Sequence, residues 1–408
     1  MGSRIAIVSL GAKLGYEGKG YTRFRLLAHL LASRGHIVDL VVGDFARDKK
    51  ACPDILRLSQ EPSDRFSVVR LEEPTPGREF ALRHVRGYSA ASRKLTAYLH
   101  EHPDYDLVYA EVPPYDVGLA AGRFAQKYNI PFVVDVTDLW PDGQGLPFDV
   151  PVLGSLLSRP YLRDARAAFD LASGVVGTFE DLVLRAFADR PCDIPHRAVP
   201  VGCDLERFDE GVARYATHVD KPDDQYWITY AGSLVSDEDL PVLFDAVALL
   251  VERGFSDLRV RVLGSGPSEE GLRALASNLA IPVDFVGRQP YQKMAAHLRW
   301  SDVMVEPGAF GGPHPTGNKF GDYLASGHPI VNSSACEEVR DFVRDREVGL
   351  NVTPGDVETL ADAIAHLHEH REEGQEMGLR ARLIAEEDFD RRRSYRAIVS
   401  LVEGLLDE

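Results

Sequence analysis

A lysine and an aspartate lie three residues apart in a segment that the sequence predicts to be a short helix. The segment runs from Thr316 to Ser326 and follows a glycine- and proline-rich stretch after Glu306. The first backbone N–H groups of a helix have no partners within the helix, and the helix dipole favours negative charge there. Lys319 falls in the first turn, and Asp322 shares its helix face. A cation for phosphate beside a carboxylate for sugar hydroxyls suggests a nucleotide-sugar site.

The first half of the chain has its own candidate residues at the ends of predicted strands. A loop after the first apolar run contains Gly18, Lys19 and Gly20, and such glycines let the backbone approach a ligand closely. Their spacing does not fit GxGxxG, so a dinucleotide site is only weakly indicated and a purely structural turn is the alternative. Glu111 and Asp138 end later strands, where α/β sheets bind ligands. Asp138 could instead simply cap a turn.

Glycines also end three successive predicted strands in the second half of the chain. Backbone without side chains can meet a flat base or a phosphate there. One such glycine indicates little, whereas the series favours a nucleotide-binding sheet edge. The residues at these strand ends that we expect on the nucleotide side are Gly232, Ser233, Gly264, Gly266 and Arg288.

Composition limits the classes of partner. The 408-residue chain has a formal net charge of −17, which argues against a nucleic-acid partner because phosphate neutralisation needs a basic surface. No apolar run approaches the ~18–20 residues of a membrane span, and no signal peptide is predicted. The four cysteines are scattered, which suits a reducing compartment. Three histidines at 366, 368 and 370 favour a solvated helix face over a metal site. We therefore expect a cytoplasmic protein without a metal centre.

The order of predicted elements indicates two α/β domains, each with a parallel sheet. Strand and helix patterns alternate over residues 1–208 and restart at 226, and the polar segment 209–225 between them has little apolar periodicity. We predict an N-terminal domain at 1–208, a linker at 209–225 and a C-terminal domain at 226–385. The last residues, 386–408, form a helical pattern with an apolar stripe that needs a partner surface. The stripe consists of Tyr395, Ile398, Val399, Val402 and Leu405.

Several segments together resemble the GT-B glycosyltransferases, specifically the family 4-like retaining enzymes. RGHIV at residues 34–38 resembles the family's "RGHxV" helix exit, and VPVGCDLERF at 199–208 resembles its "VPNGVDLERF" domain junction. DYLASGHPIV at 322–331 resembles "EAMAxGxPVV". DLWP at 138–141 and NKFGDYLASG at 318–327 are similar to a subgroup of polysaccharide and secondary-metabolite sugar transferases.

This resemblance implies two Rossmann-like domains facing a central cleft, with the C-terminal helix crossing back to the first domain. The nucleotide-sugar donor would bind the second domain, and a small-molecule or lipid-linked glycan acceptor would bind the first, near residues 18–20. The family's reaction proceeds with retention at the anomeric carbon and needs no metal, because backbone N–H groups and basic side chains stabilise the diphosphate. The oligomeric state is left open.

The family's functional positions carry over unevenly. Asp322 falls on the carboxylate that holds the ribose hydroxyls, and His314 stands where the donor-sugar carboxylate is expected. Glu111 takes the place of a frequent histidine, and Asp138 is expected to face the donor sugar or the acceptor. The usual cations after the first strand of the second domain are missing, so Lys319 and Arg288 are the nearest substitutes.

Three other readings stay open, the first because the usual cations and one carboxylate are missing, the second because of the shared fold, and the third because of the α/β rhythm. They are a catalytically silent glycosyltransferase-like partner protein, a nucleotide-sugar epimerase of the same fold, and a two-domain solute-binding protein.

Overall fold

A computed structural model gives the structure of most of the chain. It describes residues 2–10, 23–44, 65–72, 82–137, 151–187, 191, 193–235, 239–308 and 318–408. Several candidate residues lie outside the described ranges, namely Gly18, Lys19, Gly20, Asp138 and His314. The chain forms two compact units, the first made of residues 1–200 with 395–408 and the second of residues 201–394.

The first unit alternates strands and helices along the chain. Its elements are β1 (Arg4–Val8), α1 (Arg23–Ser33), β2 (Ile37–Asp44), β3 (Phe66–Glu72), α2 (Leu82–Glu101), β4 (Leu107–Val112), α3 (Tyr115–Tyr128), β5 (Phe132–Val136), α4 (Pro151–Asp170), β6 (Gly174–Gly177), α5 (Glu180–Arg185) and β7 (His196–Ala198). The seven strands form one sheet in the order β3-β2-β1-β4-β5-β6-β7, and every pairing is parallel.

The apolar runs of this sheet follow from its parallel pairing. Helices cover both faces of a parallel sheet, so residues on both sides of a strand are buried. In β5, Phe132, Val133, Val134 and Val136 are at most 1% exposed. The strand order reverses between β1 and β4, which creates the switch point where α/β sheets bind ligands.

The second unit repeats the same plan. Its elements are α6 (Leu205–Tyr215), a 3₁₀ turn (Ala216–His218), β8 (Tyr226–Ala231), α7 (Leu240–Glu252), β9 (Leu258–Leu263), α8 (Glu269–Asn278), β10 (Val283–Phe285), α9 (Tyr291–Arg299), β11 (Val303–Glu306), α10 (Asn318–Ser326), β12 (Ile330–Asn332), α11 (Glu337–Asp345), β13 (Gly349–Asn351), α12 (Val357–Glu369), α13 (Arg371–Ile384), a π turn (Ala385–Phe389) and α14 (Arg391–Ser394). Its parallel sheet has the order β10-β9-β8-β11-β12-β13, so the switch point lies between β8 and β11.

The boundary between the units differs from the predicted linker at 209–225. That segment begins inside α6, which belongs to the second unit. Asp204 caps α6 by accepting a hydrogen bond from the Arg207 N–H at 3.3 Å. A Cβ atom at Gly211 would lie 2.5 Å from the carbonyl oxygen of Gln292, so α6 and α9 pack through a glycine. The first residues of the predicted linker therefore lie in a helix that packs within the second unit.

The last helix of the chain, α15 (Arg396–Asp407), belongs to the first unit. The predicted apolar stripe from Tyr395 to Leu405 is confirmed, since its five members are at most 6% exposed. They join one core cluster with residues of α1, such as Leu27 and Leu31, and with strand residues such as Ile7. The two α/β units with parallel sheets confirm the predicted fold class.

Candidate functional site

The second unit brings Lys319 and Glu306 together at the switch point of its sheet. Glu306 is the last residue of β11, and Lys319 lies in the first turn of α10. Lys319 Nζ lies 3.1 Å from Glu306 Oε1, and their side chains are 15% and 6% exposed. A cation and a carboxylate therefore lie beside the N–H groups that begin a helix, where an anion is favoured.

Two tyrosines fix Lys319 and its helix against β8. Lys319 Nζ lies 5.1 Å from the ring centroid of Tyr230, a cation–π distance. Tyr323, one turn after Lys319, accepts a hydrogen bond from the Ala231 N–H at 2.8 Å and is fully buried. Sequence reasoning did not single out Tyr230. Its position near the end of a strand that stops at a glycine was the available signal.

The predicted glycines lie along the carboxyl edge of the same sheet. Gly232 and Ser233 directly follow β8, and Gly264 directly follows β9. A Cβ atom at residue 264 would lie 1.8 Å from the carbonyl oxygen of Gly232, and one at residue 266 would lie 2.1 Å from that of Leu234. Close backbone packing between neighbouring strand ends therefore requires Gly264 and Gly266, whatever contacts they make with a ligand.

We expect Gly264→Ala to destabilise the second unit by about 1–3 kcal/mol, because its methyl group must displace backbone rather than a flexible side chain. Gly271→Ala is the matched control, since Gly271 lies within α8 and a Cβ atom there meets nothing within 4 Å. In the control, the free energy of unfolding should rise by about 0.5–1 kcal/mol, because alanine is a better helix former than glycine. Urea unfolding of both variants checks this, and equal midpoints would refute the packing argument.

Arg288 lies at the same edge of the sheet, but the strand before it is not next to β11. It is exposed and follows β10, the outermost strand of the sheet. β9 and β8 lie between β10 and β11, so three strand spacings of about 4.8 Å separate them. β10 therefore lies about 14 Å from β11 across the sheet.

Asp322 is buried in protein rather than presented at this edge. It is 6% exposed and accepts a hydrogen bond at 2.7 Å from the hydroxyl of Tyr291, the first residue of α9. Burial raises the pKa of Asp322 to about 6, while the Arg391 charge and the Tyr291 hydrogen bond oppose the rise. The carboxylate thus links α10 to α9, and its contact with a ribose stays a prediction.

The first unit has a polar cluster at its own switch point. Ser9 follows β1, and its hydroxyl donates to Glu111 Oε2 at 2.5 Å across the β1–β4 boundary. The hydroxyl of Thr137 donates to Glu111 Oε1 at 3.3 Å. Burial raises the pKa of Glu111 to about 7, and the Ser9 hydrogen bond limits the rise. Near neutral pH this carboxyl group can therefore accept or release a proton.

A buried ion pair beneath this cluster was not identified from the sequence. Arg23 begins α1, and its Nε atom donates to Asp135 Oδ2 at 2.7 Å, with the side chains 4% and 0% exposed. The Tyr109 hydroxyl donates to the same oxygen at 2.6 Å, and an Arg23 Nη1 hydrogen bond reaches the Val199 carbonyl at 2.7 Å. A lone aspartate in an apolar strand was the only signal.

Glu111→Gln should change the pH dependence of stability. The pKa of Glu111 is about 7 in the folded protein and about 4.3 in the unfolded chain. The contribution of protonated Glu111 to stability is therefore complete below about pH 4.3, and it is lost as the pH rises through about 7. The variant's melting temperature should therefore rise relative to wild type between pH 5 and pH 8. For Glu358→Gln, at an exposed glutamate of α12, the difference in melting temperature from wild type should not change with pH. A flat difference for Glu111→Gln would refute the shifted pKa.

Other sequence expectations concern metals, thiols and membranes. Among the described residues, no group of three His, Cys, Asp or Glu side chains could hold a metal ion. His368 contacts Asp257 at 2.8 Å and His366 contacts Glu373 at 2.9 Å. Cys203 and Cys336 are free thiols. None of the helices in the described part of the chain has the length and apolar character that a bilayer span requires.

Two family descriptions match consecutive parts of the chain. "Glycosyl transferase 4-like domain" matches residues 20–207, and "Glycosyl transferases group 1" matches residues 225–370. The chain belongs to the GT-B family 4-like glycosyltransferases. The first match covers most of the first unit and the second covers the sheet that carries Lys319, so the family 4-like assignment is confirmed, while the retaining class and the motif-defined subgroup stay predictions.

Known proteins agree with this assignment. A phosphatidyl-myo-inositol mannosyltransferase from Mycobacterium leprae is 34% identical over 128 residues, which is 31% of this chain and about a third (33%) of the relative's length. Sucrose-phosphate synthase from Thermosynechococcus elongatus has the same fold, with a TM-score of 0.75 at 20% identity over 99% of both chains. HepE from Anabaena, solved in complex with UDP, matches with a TM-score of 0.70 at 16% identity over 98% of this chain and 100% of that chain.

Proposed function

We propose that this glycosyltransferase moves a sugar from a nucleoside diphosphate sugar to an acceptor hydroxyl, with retention and without a metal ion. The observation that carries the proposal is the placement of Lys319 and Glu306 at the switch point of the second sheet, beside the first turn of α10. The family assignment and the UDP found in the complex of its structural relative HepE support a donor of this class.

On the donor side, the diphosphate would lie at the N-terminus of α10. Lys319 would exchange part of its contact with Glu306 for phosphate oxygens, and the N–H groups of the first turn would add donors. In this arrangement these groups would lie where negative charge grows as the sugar–phosphate bond breaks, so they would stabilise the leaving group. We propose that no metal ion is required, because Lys319 and the dipole of α10 would supply the positive charge that the diphosphate needs.

On the acceptor side, Glu111 with Ser9 and Thr137 would bind the attacking hydroxyl. The leaving phosphate would assist deprotonation of that hydroxyl, so no protein nucleophile is required. Glu111 would orient the acceptor and hold a proton near neutral pH. We propose as acceptor a polysaccharide precursor or a secondary metabolite, either a small molecule or a lipid-linked glycan.

Proton NMR of donor turnover tests this function. The protein is incubated with UDP-glucose and with GDP-, ADP- and dTDP-sugars in EDTA, and both the free nucleoside diphosphate and the anomer of the first product are followed. We expect release from at least one donor in EDTA, and an α-linked donor should give an α product. Inverted product would refute retention, and turnover that appears only with added Mg²⁺ would refute metal independence. Binding without turnover of any donor would favour the catalytically silent reading.

A further inference from the structure

A cavity of ≈ 330 Å³ opens at the opposite edge of the second sheet. Its lining includes the first residue of β8, Tyr226, and the residues that directly precede β11 and β12, Asp302 and Pro329. These strands span roughly 10–20 Å, so the cavity is separate from the edge that carries Lys319. Its volume falls in the range of about 300–1,000 Å³ that is typical of small-molecule sites.

Two arginines of the cavity wall differ in their carboxylate partners: Arg299 has none among the described residues, and Arg371 has two at longer ion-pair distances. Arg299 donates from Nη1 to the Ser326 carbonyl at 3.1 Å, and it forms no ion pair with the carboxylates of the described residues. Arg371 lies 4.3 Å from the ring centroid of Tyr226, and its ion-pair distances to Asp257 and Asp302 are both 3.7 Å. Arg299 can therefore donate to a further anion, and Arg371 can join it by exchanging one of its longer carboxylate contacts for that anion.

The nearby acidic group and histidine do not prevent the two arginines from binding an anion. Asp302 is compensated from its other side, since its Oδ2 lies 2.5 Å from Lys221 Nζ and accepts the Trp227 N–H at 2.6 Å. Burial lowers the pKa of His328 to about 4, so this lining residue is neutral at pH 7. The cavity is thus locally basic in a chain of net charge −17.

Apart from the polar side chain of Gln375, the remaining wall is mainly apolar and aromatic. Leu367 is 1% exposed and forms part of the interior, whereas Leu379 is 67% exposed and lies where the cavity meets solvent. Pro329 and the ring of Tyr226 complete this surface. The wall suits a ligand with an apolar or ring-shaped body and an anionic head, because arginine forks match phosphate oxygens and the apolar wall excludes water.

We propose that this cavity binds a small phosphate monoester through Arg299 and Arg371, with the ligand's organic body against Leu367, Pro329 and Tyr226. Titration calorimetry with phenyl phosphate tests the site in the Lys319→Ala protein, in which the proposed donor contact is removed. We expect one site with a Kd below about 1 mM. Inorganic phosphate should bind at least about tenfold more weakly because it lacks the apolar body. Equal affinities would assign the site to free phosphate and overturn the monoester.

Variants of the cavity complete the test, each made in the same Lys319→Ala background. Arg299→Ala and Arg371→Ala should each weaken phenyl phosphate binding by about tenfold or more. Leu379→Glu, at an exposed position that does not threaten folding, should also weaken it by like-charge repulsion. Arg273→Ala, at an exposed arginine of α8 that pairs with Glu269, should bind like its parent. No saturable binding up to about 10 mM, or unchanged binding in all three cavity variants, would overturn the proposal without affecting the donor site.

Discussion

Replacing Lys319 with alanine should weaken nucleoside diphosphate binding by about 10–100-fold and should lower donor turnover by about 100-fold or more. A hydrogen bond to a charged phosphate contributes about 1.5–3 kcal/mol, and one lost donor to a developing oxyanion costs about 10²–10³ in kcat. Lys319 is the cation at the switch point of the second sheet, so the loss should appear in both quantities. Calorimetric titration with the nucleotide and steady-state kinetics measure them.

Two controls separate this loss from damage to the fold. Lys319→Ala leaves Glu306, which is 5% exposed, without its lysine, so some destabilisation is expected. The double variant Lys319→Ala, Glu306→Gln should recover the melting temperature but not nucleotide binding. Lys293→Ala, at an exposed lysine of α9, should change neither. If binding and turnover stay within about threefold of wild type, the change in free energy is less than ~1 kcal/mol. That result would contradict the phosphate role of Lys319.

Arg23→Leu should destabilise the first unit by about 3–5 kcal/mol, the largest stability effect that we expect from a single substitution. The change leaves the Asp135 carboxylate fully buried, with the Tyr109 hydroxyl as its donor, and a buried charge without its ion partner costs this much. The Val199 carbonyl also loses its arginine donor. Urea unfolding followed by a probe in the first unit measures the loss.

A charge-free pair distinguishes the ionic explanation from loss of packing. Arg23→Leu combined with Asp135→Leu removes both charges, so most of the lost stability should return. Arg163→Ala, at a guanidinium that is 81% exposed, should change unfolding by less than about 0.5 kcal/mol. If the double variant is less stable than Arg23→Leu alone, the pair acts through shape and hydrogen bonds rather than through charge.

Short-range patterns were enough to predict much of this structure. Glycine after an apolar strand correctly located the ends of β8 and β9, because close backbone packing there excludes a side chain. In α10, Phe320, Tyr323 and Leu324 have the spacing of a helix packing face, and they are at most 3% exposed. The C-terminal stripe was predicted for the same reason, although its partner surface could be named only through the family resemblance.

Contacts between residues distant in the chain could not be predicted in this way. The Arg23–Asp135 pair joins residues 112 positions apart, and the hydrogen bond from Tyr291 to Asp322 joins two helices. Nothing in the local pattern indicates that Asp322 faces another helix. The close contact of α6 with α9 at Gly211 also joins residues distant in the chain, and the local pattern does not indicate it.

The central claim is that the chain binds the nucleoside diphosphate part of a sugar donor at the edge of the second sheet. A thermal-shift panel of UDP, GDP, ADP and dTDP tests it most directly. A ligand at about 100 times its Kd should stabilise the protein by ~2.7 kcal/mol. At least one nucleotide should therefore raise the melting temperature of wild type clearly, and the rise should shrink in Lys319→Ala. Unchanged melting temperatures with all four nucleotides would contradict the account.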